Sequence, residues 1–490
     1  MLEKLEEITC FNKNKNWKIP ALVFIFSFAY YCILAAKQYT WLFASGDSGD
    51  WLAASNLWIV PQPYGSPLYI TLGHLIDLLP GSLPINMTVL LSCLPAAVTV
   101  TLVYLIIKHL TNKTAIALTG STIVLGAGIF LTQATILEEY SIAVMFVVLG
   151  YHFYLKDKKY LTALSLGLGS AIHILVIPIA LLWLVLEKKN WRAWSKTLPI
   201  YIVSGILPYA LILYLMTTDA PRLLAGGLSL QAINSYLGST SVFGTLSIFG
   251  LPERLLDFFS LIIMSFGLAV IPIWVALKRP WATHIKLLVI GIAFPVWYYL
   301  TCLDPTSWTF MTYSCPFIAI AACIGLVKID KKLIIRAVTA SAVLLICLNT
   351  VFLNANVLAH KEPLAMEYYN ELMTMPTGSA VVTHRGGFES MALFYVISEG
   401  KDLIPIFFTD ERYTDDALYQ YYIEWIKHDY GILGDNTQGM VADALDRNLD
   451  VYILIPVLGK WENIYETVDS KYNHYDIVKG VDLTVEDIIK

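Results

Sequence analysis

Six ionisable residues stand at the ends of apolar runs in this sequence: Asp47 and Asp50, Glu138 and Glu139, Asp304, and His173. Carboxylates drawn from separate segments can do two kinds of chemistry. They can form an acid/base pair, one of them removing a proton from an attacking hydroxyl. They also present the oxygen ligands that Mg²⁺ or Mn²⁺ prefers. A histidine beside them can donate to an anion or to an acceptor. Each residue has a plainer reading as well. Asp47 or Ser48 can cap a helix beginning near Asp50, Asp304 can open a turn at Asp304-Pro305, and a histidine satisfied within a core is unremarkable.

The elements that must hold these groups are membrane helices. With 57% hydrophobic residues, 14% charged residues and a mean hydropathy of +0.62 over 490 residues, the chain exceeds what one soluble core needs. Apolar runs at 19–36, 84–107, 114–132, 139–155, 160–172, 174–186, 197–216, 255–277, 281–301, 310–328 and 333–354 make about eleven helices. The N-terminal run lacks a small-residue cleavage site and stays as the first helix. The run over 160–186 is split at His173, because only then do the turns rich in Lys and Arg alternate. Those turns are Lys4 to Lys18, Lys108 to Lys113, Lys156 to Lys159, Lys188 to Lys196, Lys278-Arg279 and Lys328 to Lys332, and they are expected in the cytoplasm, as is the N-terminus. The remaining connections, including the first outer loop at 38–83, then face outward, and all six ionisable residues gather there. An ionisable group at a membrane boundary is costly unless it meets a polar cavity or a partner, so a cluster on one side marks a functional cleft. Its plainer reading is that such residues only end helices among the headgroups.

The first outer loop is the most informative stretch. Gly46-Asp47-Ser48-Gly49-Asp50-Trp51-Leu52-Ala53-Ala54 predicts a helix lying in the interface, with Trp51, Leu52, Leu57 and Trp58 on its apolar side. Pro61-Gln62-Pro63-Tyr64-Gly65-Ser66-Pro67 forces an irregular segment, and a second amphipathic helix carries His74 and Asp77. This loop resembles the first luminal loop of a family related to protein O-mannosyltransferases, which typically reads Asp-Ser-Gly-Glu and then His-Pro-Pro-Gly-Tyr-Pro-Leu-Tyr. Gln133-Ala134-Thr135-Ile136-Leu137-Glu138-Glu139-Tyr140 resembles that family's second acidic motif. Gly167-Leu168-Gly169-Ser170-Ala171-Ile172-His173-Ile174 is similar to its Gly-Leu-Gly-x-x-x-His-x segment, and Tyr313-Ser314-Cys315-Pro316 to its late Pro-bearing helix entry. Two departures stand out. The family's His-Pro-Pro-Gly is Gln62-Pro63-Tyr64-Gly65 here, and its Glu is Asp50.

The resemblance implies an α-helical polytopic membrane protein of the type C glycosyltransferase (GT-C) architecture, with its active site on the outer face. It further implies transfer of a sugar from a polyprenyl-phosphate donor to a protein, lipid or glycan acceptor. Inverting transfer needs a base for the acceptor hydroxyl and stabilisation of the departing phosphate. Asp47 is the candidate base, Asp50 its substitute, and Glu139 the third catalytic candidate. Glu138, His173, Arg222, Arg254, Tyr64 and His74 are candidates for binding donor or acceptor, the two arginines as phosphate ligands or as snorkelling side chains. No cofactor is required; Asp47 and Glu139 are the residues that would hold Mg²⁺ or Mn²⁺.

Residues 357–490 differ in kind. They hold 23 of the 38 acidic residues and 10 of the 33 basic ones. Strands are expected at 379–384, 403–408, 451–456 and 475–478, with helices around 388–398, 413–430, 437–448 and 461–468, forming a small extracytoplasmic α/β domain with a largely parallel sheet. This domain, set against a GT-C-like membrane domain over 1–356, is expected to select or cover the acceptor. His384-Arg385-Gly386-Gly387 lacks a dinucleotide fingerprint and reads as a strand-to-helix turn. No basic stripe suggests nucleic acid as a partner. The seven cysteines lie in or near apolar runs and read as core residues, Cys302 and Cys315 being the one conceivable outer pair. A transporter or lipid flippase with an outward polar cleft is the alternative function. It would be expected to show an inverted repeat and acidic residues at mid-membrane, and the sequence displays neither.

Overall fold

The computed structural model describes residues 17–37, 48–57, 66–81, 83–186, 194–215, 251–277, 283–301, 305–359, 364–384, 400–408, 431–434, 437–453 and 478–479, with Leu393, Val396, Ile397, Ile423, Ile426, Lys427 and Tyr430. Helices occupy all eleven apolar runs. They begin with α1 (Lys18–Lys37), α2 (Ser48–Leu57) and α3 (Pro67–Asp77), then α4 (Leu83–Thr111), which contains a π-helical turn at Thr88–Cys93. There follow α5 (Thr114–Gly126), α6 (Gly128–Thr135), α7 (Tyr140–Leu155), α8 (Lys159–Ile172), α9 (Val176–Leu186) and α10 (Leu198–Leu215). The series ends with α11 (Leu251–Phe266), α12 (Val270–Leu277), α13 (Thr283–Thr301), a 3-10 segment (Pro305–Tyr313), α14 (Ser314–Ile329) and α15 (Lys332–Ala359).

Among the described residues, five helices are long and apolar enough to cross a membrane, and the α5–α6 pair makes a sixth if it is one span. Helices α7, α9, α10 and α13 are apolar but shorter. On α15, Leu344, Leu348, Val351 and Phe352 stand exposed along the helix, and on α10 Val203, Ile206 and Leu207 do the same. Such continuous apolar surface suits a hydrocarbon surround, where helices keep every backbone hydrogen bond internal. The protein is an integral membrane protein.

Three apolar runs are interrupted, that over 255–277 by a 3-10 turn at Gly267–Ala269 between α11 and α12. The split expected at His173 is present: α8 ends at Ile172, His173 is extended (φ −148, ψ 133), and α9 begins at Val176. The run expected as one helix over 114–132 is instead bent by 65° at Ala127. Glycines flank that bend. A Cβ on Gly126 would press on the Ala342 carbonyl of α15, and Asn349 of α15 donates to the Gly126 carbonyl at 2.7 Å, meeting the acceptor that the break releases.

Beyond α15, which continues through residue 356 to Ala359, α16 (Leu364–Thr374) precedes a four-stranded sheet of β1 (Ser379–His384), β2 (Leu403–Phe408), β3 (Val451–Ile453) and β4 (Val478–Lys479) in the order β2-β1-β3-β4. Strand β1 pairs parallel with β2 and β3, while β4 runs antiparallel, so the sheet is largely parallel as expected. Pro405, which has no N–H to offer the ladder, sits on the edge strand β2. Leu372 of α16 and Met375 just after it pack with Val381 and Leu403, and α17 (Thr437–Asp446) packs against β1, β2 and β3. The helices expected at 413–430 and 461–468 lie wholly or mostly outside the described residues, as does most of 388–398.

Candidate active site

The Gln133–Tyr140 turn between α6 and α7 is held by hydroxyls that donate to its carbonyls. Ser141 bonds the Gln133 carbonyl at 2.8 Å, Ser92 of α4 bonds that of Glu138 at 3.5 Å, and Ser48 of α2 bonds that of Leu137 at 2.8 Å. The indole N–H of Trp51 reaches Glu138 Oε2 at 3.4 Å. Helix α2 therefore docks on the second acidic motif through its first two turns. Ser48, one of the two residues expected as a cap for this helix, thus also makes a long-range bond. The interfacial placing of Trp51 and Leu52 is corrected, since both are fully buried.

Helix α3 completes the dock. Tyr69 meets Trp51 edge to face with ring centroids 5.2 Å apart, His74 Nδ1 lies 3.0 Å from the Ser55 carbonyl, and Asn56 donates to Asp77 at 3.1 Å. Gly73 is required where the two helices touch, because a Cβ there would run into the Ser55 hydroxyl. The structure thus puts His74 in the α2–α3 contact.

Glu139 is completely buried at the N-cap position of α7, yet its side chain does not cap that helix. Its Oε1 lies 3.7 Å from His173 Nε2. A residue serving only to end a helix among headgroups would be exposed or would bond its own first turn, and Glu139 does neither. His173, 2% exposed, accepts the Leu175 N–H at Nδ1 (3.3 Å), which assigns its proton to Nε2, the nitrogen facing the carboxylate. Burial pushes the imidazole down to about 3, so the ring is neutral at physiological pH. Tyr140, Phe310 and Tyr313 surround it with centroids 5.1, 6.0 and 5.7 Å away.

Arg254 donates to the Tyr299 carbonyl at 2.9 Å, close to the C-terminus of α13, where the helix dipole favours a cation. The next ring along, Tyr298, packs edge to face on Phe310 at 4.7 Å, connecting this anchor to the aromatic group about His173. Asp47, Tyr64, Arg222, Asp304 and Cys302 lie outside the described residues, and of Asp50 only the backbone on α2 is described. Cys315 is a buried free thiol. Among the described residues no three His, Cys, Asp or Glu side chains gather as a metal site; Asp47, one of the two residues expected to hold an ion, is not among them.

Of the residues singled out from sequence, the structure brings together Glu138, Glu139 and His173 from two separate motifs, with Ser48 of the first-loop motif bonded beside them. Sequence reasoning misses Trp51 and Tyr69 as parts of the site, along with Tyr140, Phe310 and Tyr313. All of these but Phe310 stand inside the family-like strings, which was the signal available. Alongside, Leu68 and Thr71 of α3, Leu164 and Leu168 of α8, and Val203 and Leu207 of α10 line an apolar groove of about 520 Å³.

Residues 47–195 match the family described as protein O-mannosyl-transferase TMEM260 N-terminal domain. That span holds the first-loop, Glu138-Glu139 and His173 motifs, while Tyr313-Ser314-Cys315-Pro316 falls beyond it. No curated protein sequence matches. Among solved structures, ArnT from Cupriavidus metallidurans bound to undecaprenyl phosphate is similar with a TM-score of 0.56 at 10% identity, over 94% of this chain and 96% of that one. ArnT from the same organism in the apo state is similar with a TM-score of 0.57 at 11% identity, over 94% and 95%. At such identities the likeness shows the fold, which is that of the type C glycosyltransferases.

Proposed function

From a chain related over residues 47–195 to protein O-mannosyltransferases, and folded along its length as a type C glycosyltransferase, we propose that this protein transfers a sugar from a polyprenyl-phosphate donor to a protein, lipid or glycan acceptor at the extracytoplasmic face. The observation that carries the reading is the docking of α2 on the Glu138-Glu139 turn. Ser48, the residue after Asp47, is bonded to Leu137, the residue before Glu138. The start of α2, which follows Asp47 in the chain, thereby adjoins the second acidic motif.

Asp47 is the base in this reading. It takes the proton of the acceptor hydroxyl as that oxygen forms its bond to the sugar's anomeric carbon, while the bond from that carbon to the phosphate oxygen breaks and polyprenyl phosphate leaves. Glu139 orients the acceptor, with His173 supplying a neutral Nε2–H beside it, and Arg222 or Arg254 offers charge to the departing phosphate. The groove between α3, α8 and α10 suits the polyprenyl chain, since its walls are almost wholly apolar and Leu68 and Thr71 flank the site residue Tyr69. The ArnT structure with undecaprenyl phosphate supports a carrier of that class. The basic turns belong in the cytoplasm by the positive-inside rule, which puts the acidic end outside together with the C-terminal α/β unit, an acceptor-facing domain. The reaction as written needs no metal. A Mg²⁺ or Mn²⁺ held by Asp47 and Glu139 is the variant that chelation would reveal, by abolishing transfer.

The test is sugar transfer by the detergent-purified protein from a panel of polyprenyl-phosphate sugars. Release of polyprenyl phosphate by wild type but not by Asp47→Asn supports the reaction class and its base. Silence against every donor, with specific solute or lipid movement in vesicles, would overturn the reading in favour of transport.

A further inference from the structure

Two buried phenols beside Glu139 have no use in the chemistry described so far. The hydroxyls of Tyr69 and Tyr313 are completely buried and have no hydrogen-bond partner among the described residues. A buried donor without a partner loses its water and gains nothing in return, so such groups in a native fold call for an explanation. Packing supplies none for the oxygens. The Tyr69 ring is fixed against Trp51, and the Tyr313 ring lies 5.7 Å from His173 and 6.4 Å from Tyr140, contacts that phenylalanine would make equally well.

Position is the second observation. Tyr69 comes from α3 in the first loop, its ring against Trp51, whose indole N–H reaches Glu138 at 3.4 Å. Tyr313 comes from the entry of α14, its ring 5.7 Å from His173, whose Nε2 lies 3.7 Å from Glu139. A group arriving among them meets two hydroxyls able to donate or accept and carboxylates that only accept. A sugar hydroxyl satisfies both kinds, since it donates to a carboxylate while accepting from a phenol. A phosphate can only accept, and would be set against like charge in a dry surround.

We infer that Tyr69 and Tyr313 hydrogen-bond hydroxyl groups of the transferred sugar, so that the surroundings of Glu139 receive the neutral glycosyl group of the donor while its phosphate stays outside. This rests on the sugar-transfer reading above. It adds two specificity-determining residues and a division of the donor between them and the cations.

The experiment uses the full-length purified protein with the donor found to support transfer, analogues of that donor lacking single sugar hydroxyls, and polyprenyl phosphate alone as the sugarless probe. Tyr69→Phe and Tyr313→Phe are each expected to bind polyprenyl phosphate as wild type does. Each should lose about 10- to 100-fold in kcat/KM with the intact donor. With the deoxy donor lacking the partnered hydroxyl, wild type should fall to the level of the variant, and the variant should lose nothing further. The wild-type arm with deoxy donors stands even where a variant folds poorly. The inference is overturned if both variants match wild type on every donor, or if they lose polyprenyl phosphate binding and sugar transfer together. Wild-type transfer with indifferent variants sinks this inference alone, whereas wild type that transfers from no donor sinks the functional reading and this inference with it.

Discussion

The two ends of the helix bundle treat the same residue types in opposite ways. Where α6 meets α7 and α8 meets α9, Glu139 is fully buried, Glu138 is 5% exposed and His173 is 2% exposed. Where α4 meets α5 and α14 meets α15, Lys113 and Asp330 form a 2.7 Å pair whose side chains are 45% and 70% exposed, and Asp157 beside a half-buried Lys159 is likewise open. Exposed pairs of this kind contribute little, because water already stabilises both charges. Taking a carboxylate out of water costs several kcal/mol before any partner is counted. A fold that leaves its charges in water at one end and buries them at the other is tolerating that cost at a particular place. The helix dipole of α7 offsets part of it, by about 0.3–1 kcal/mol and up to ~2 in a partly buried setting. The remainder is the mark of a site.

The contrast breaks first at the carboxylates. Asp47→Asn should lower kcat for sugar transfer by about 10²- to 10⁴-fold, the range a positioned proton-transfer group supplies, and Glu139→Gln, which loosens the hold on the acceptor, by about 10²-fold. Circular dichroism and gel filtration should stay unchanged, since Glu139 makes no cap that the helix would miss. Were Glu139→Gln to unfold the protein while leaving the active fraction fully active, the buried end would be structural and the comparison would fail.

Removing the docking bonds sharpens it next. Trp51→Phe keeps most of the aromatic packing on Tyr69 and deletes the indole N–H to Glu138, and Ser48→Ala deletes the hydroxyl bonded to Leu137. Each leaves a buried acceptor short of a partner, worth about 1–3 kcal/mol. The expected result is a roughly tenfold loss in kcat/KM and a lower melting temperature for each. Because both act through one helix, the double variant should lose less than the two single losses combined.

Acid sharpens it further. His173 is held well below its unfolded value near 6.5, at about 3, so the unfolded chain binds its proton more readily. The stability gained by keeping the ring neutral is complete above about 6.5 and declines as pH falls towards 3. Wild type should melt at lower temperature at pH 4.5 than at pH 7.5, and His173→Gln should show less of that decline. The pH dependence of transfer between 6 and 8 should not report this histidine.

Much of this contrast is legible in the sequence, through hydropathy and through the placing of Lys and Arg. The break at His173 follows from charge alternation, because only two spans over 160–186 return Lys188 to the side of Lys156. Strands β1 and β2 stand where apolar β-rich runs between turns put them, without family knowledge. The bend at Ala127 escapes because 114–132 is apolar throughout. Its cause is a tertiary one, the approach of α15 to Gly126 and the amide of Asn349, and the glycine pair flanking Ala127 was the only trace. Trp51 escapes for a related reason. An aromatic residue near a membrane boundary has the same local pattern whether it lies in the headgroups or under another helix, and its indole finds Glu138 across 87 residues. Tyr69, Phe310 and Tyr313 are hidden likewise, because among so many aromatic residues the ones that matter are distinguished only by what they touch.

The smallest expected effect belongs to the exposed end, and it is the control on which the comparison depends. Asp330→Asn removes the carboxyl that Lys113 holds below its ordinary range, chiefly through its hydrogen bond and its charge. The pair joins the α4–α5 turn to the α14–α15 turn, so it looks on the page as much like a tether as Glu139 with His173 does. Exposure decides between them: water replaces the lost bond, and salt screens what remains within about 8–10 Å. Transfer rates and melting temperature should match wild type at physiological ionic strength. A loss of transfer comparable to that of Glu139→Gln would mean that the two ends are coupled through α5 and α14, and that burial does not identify the working end.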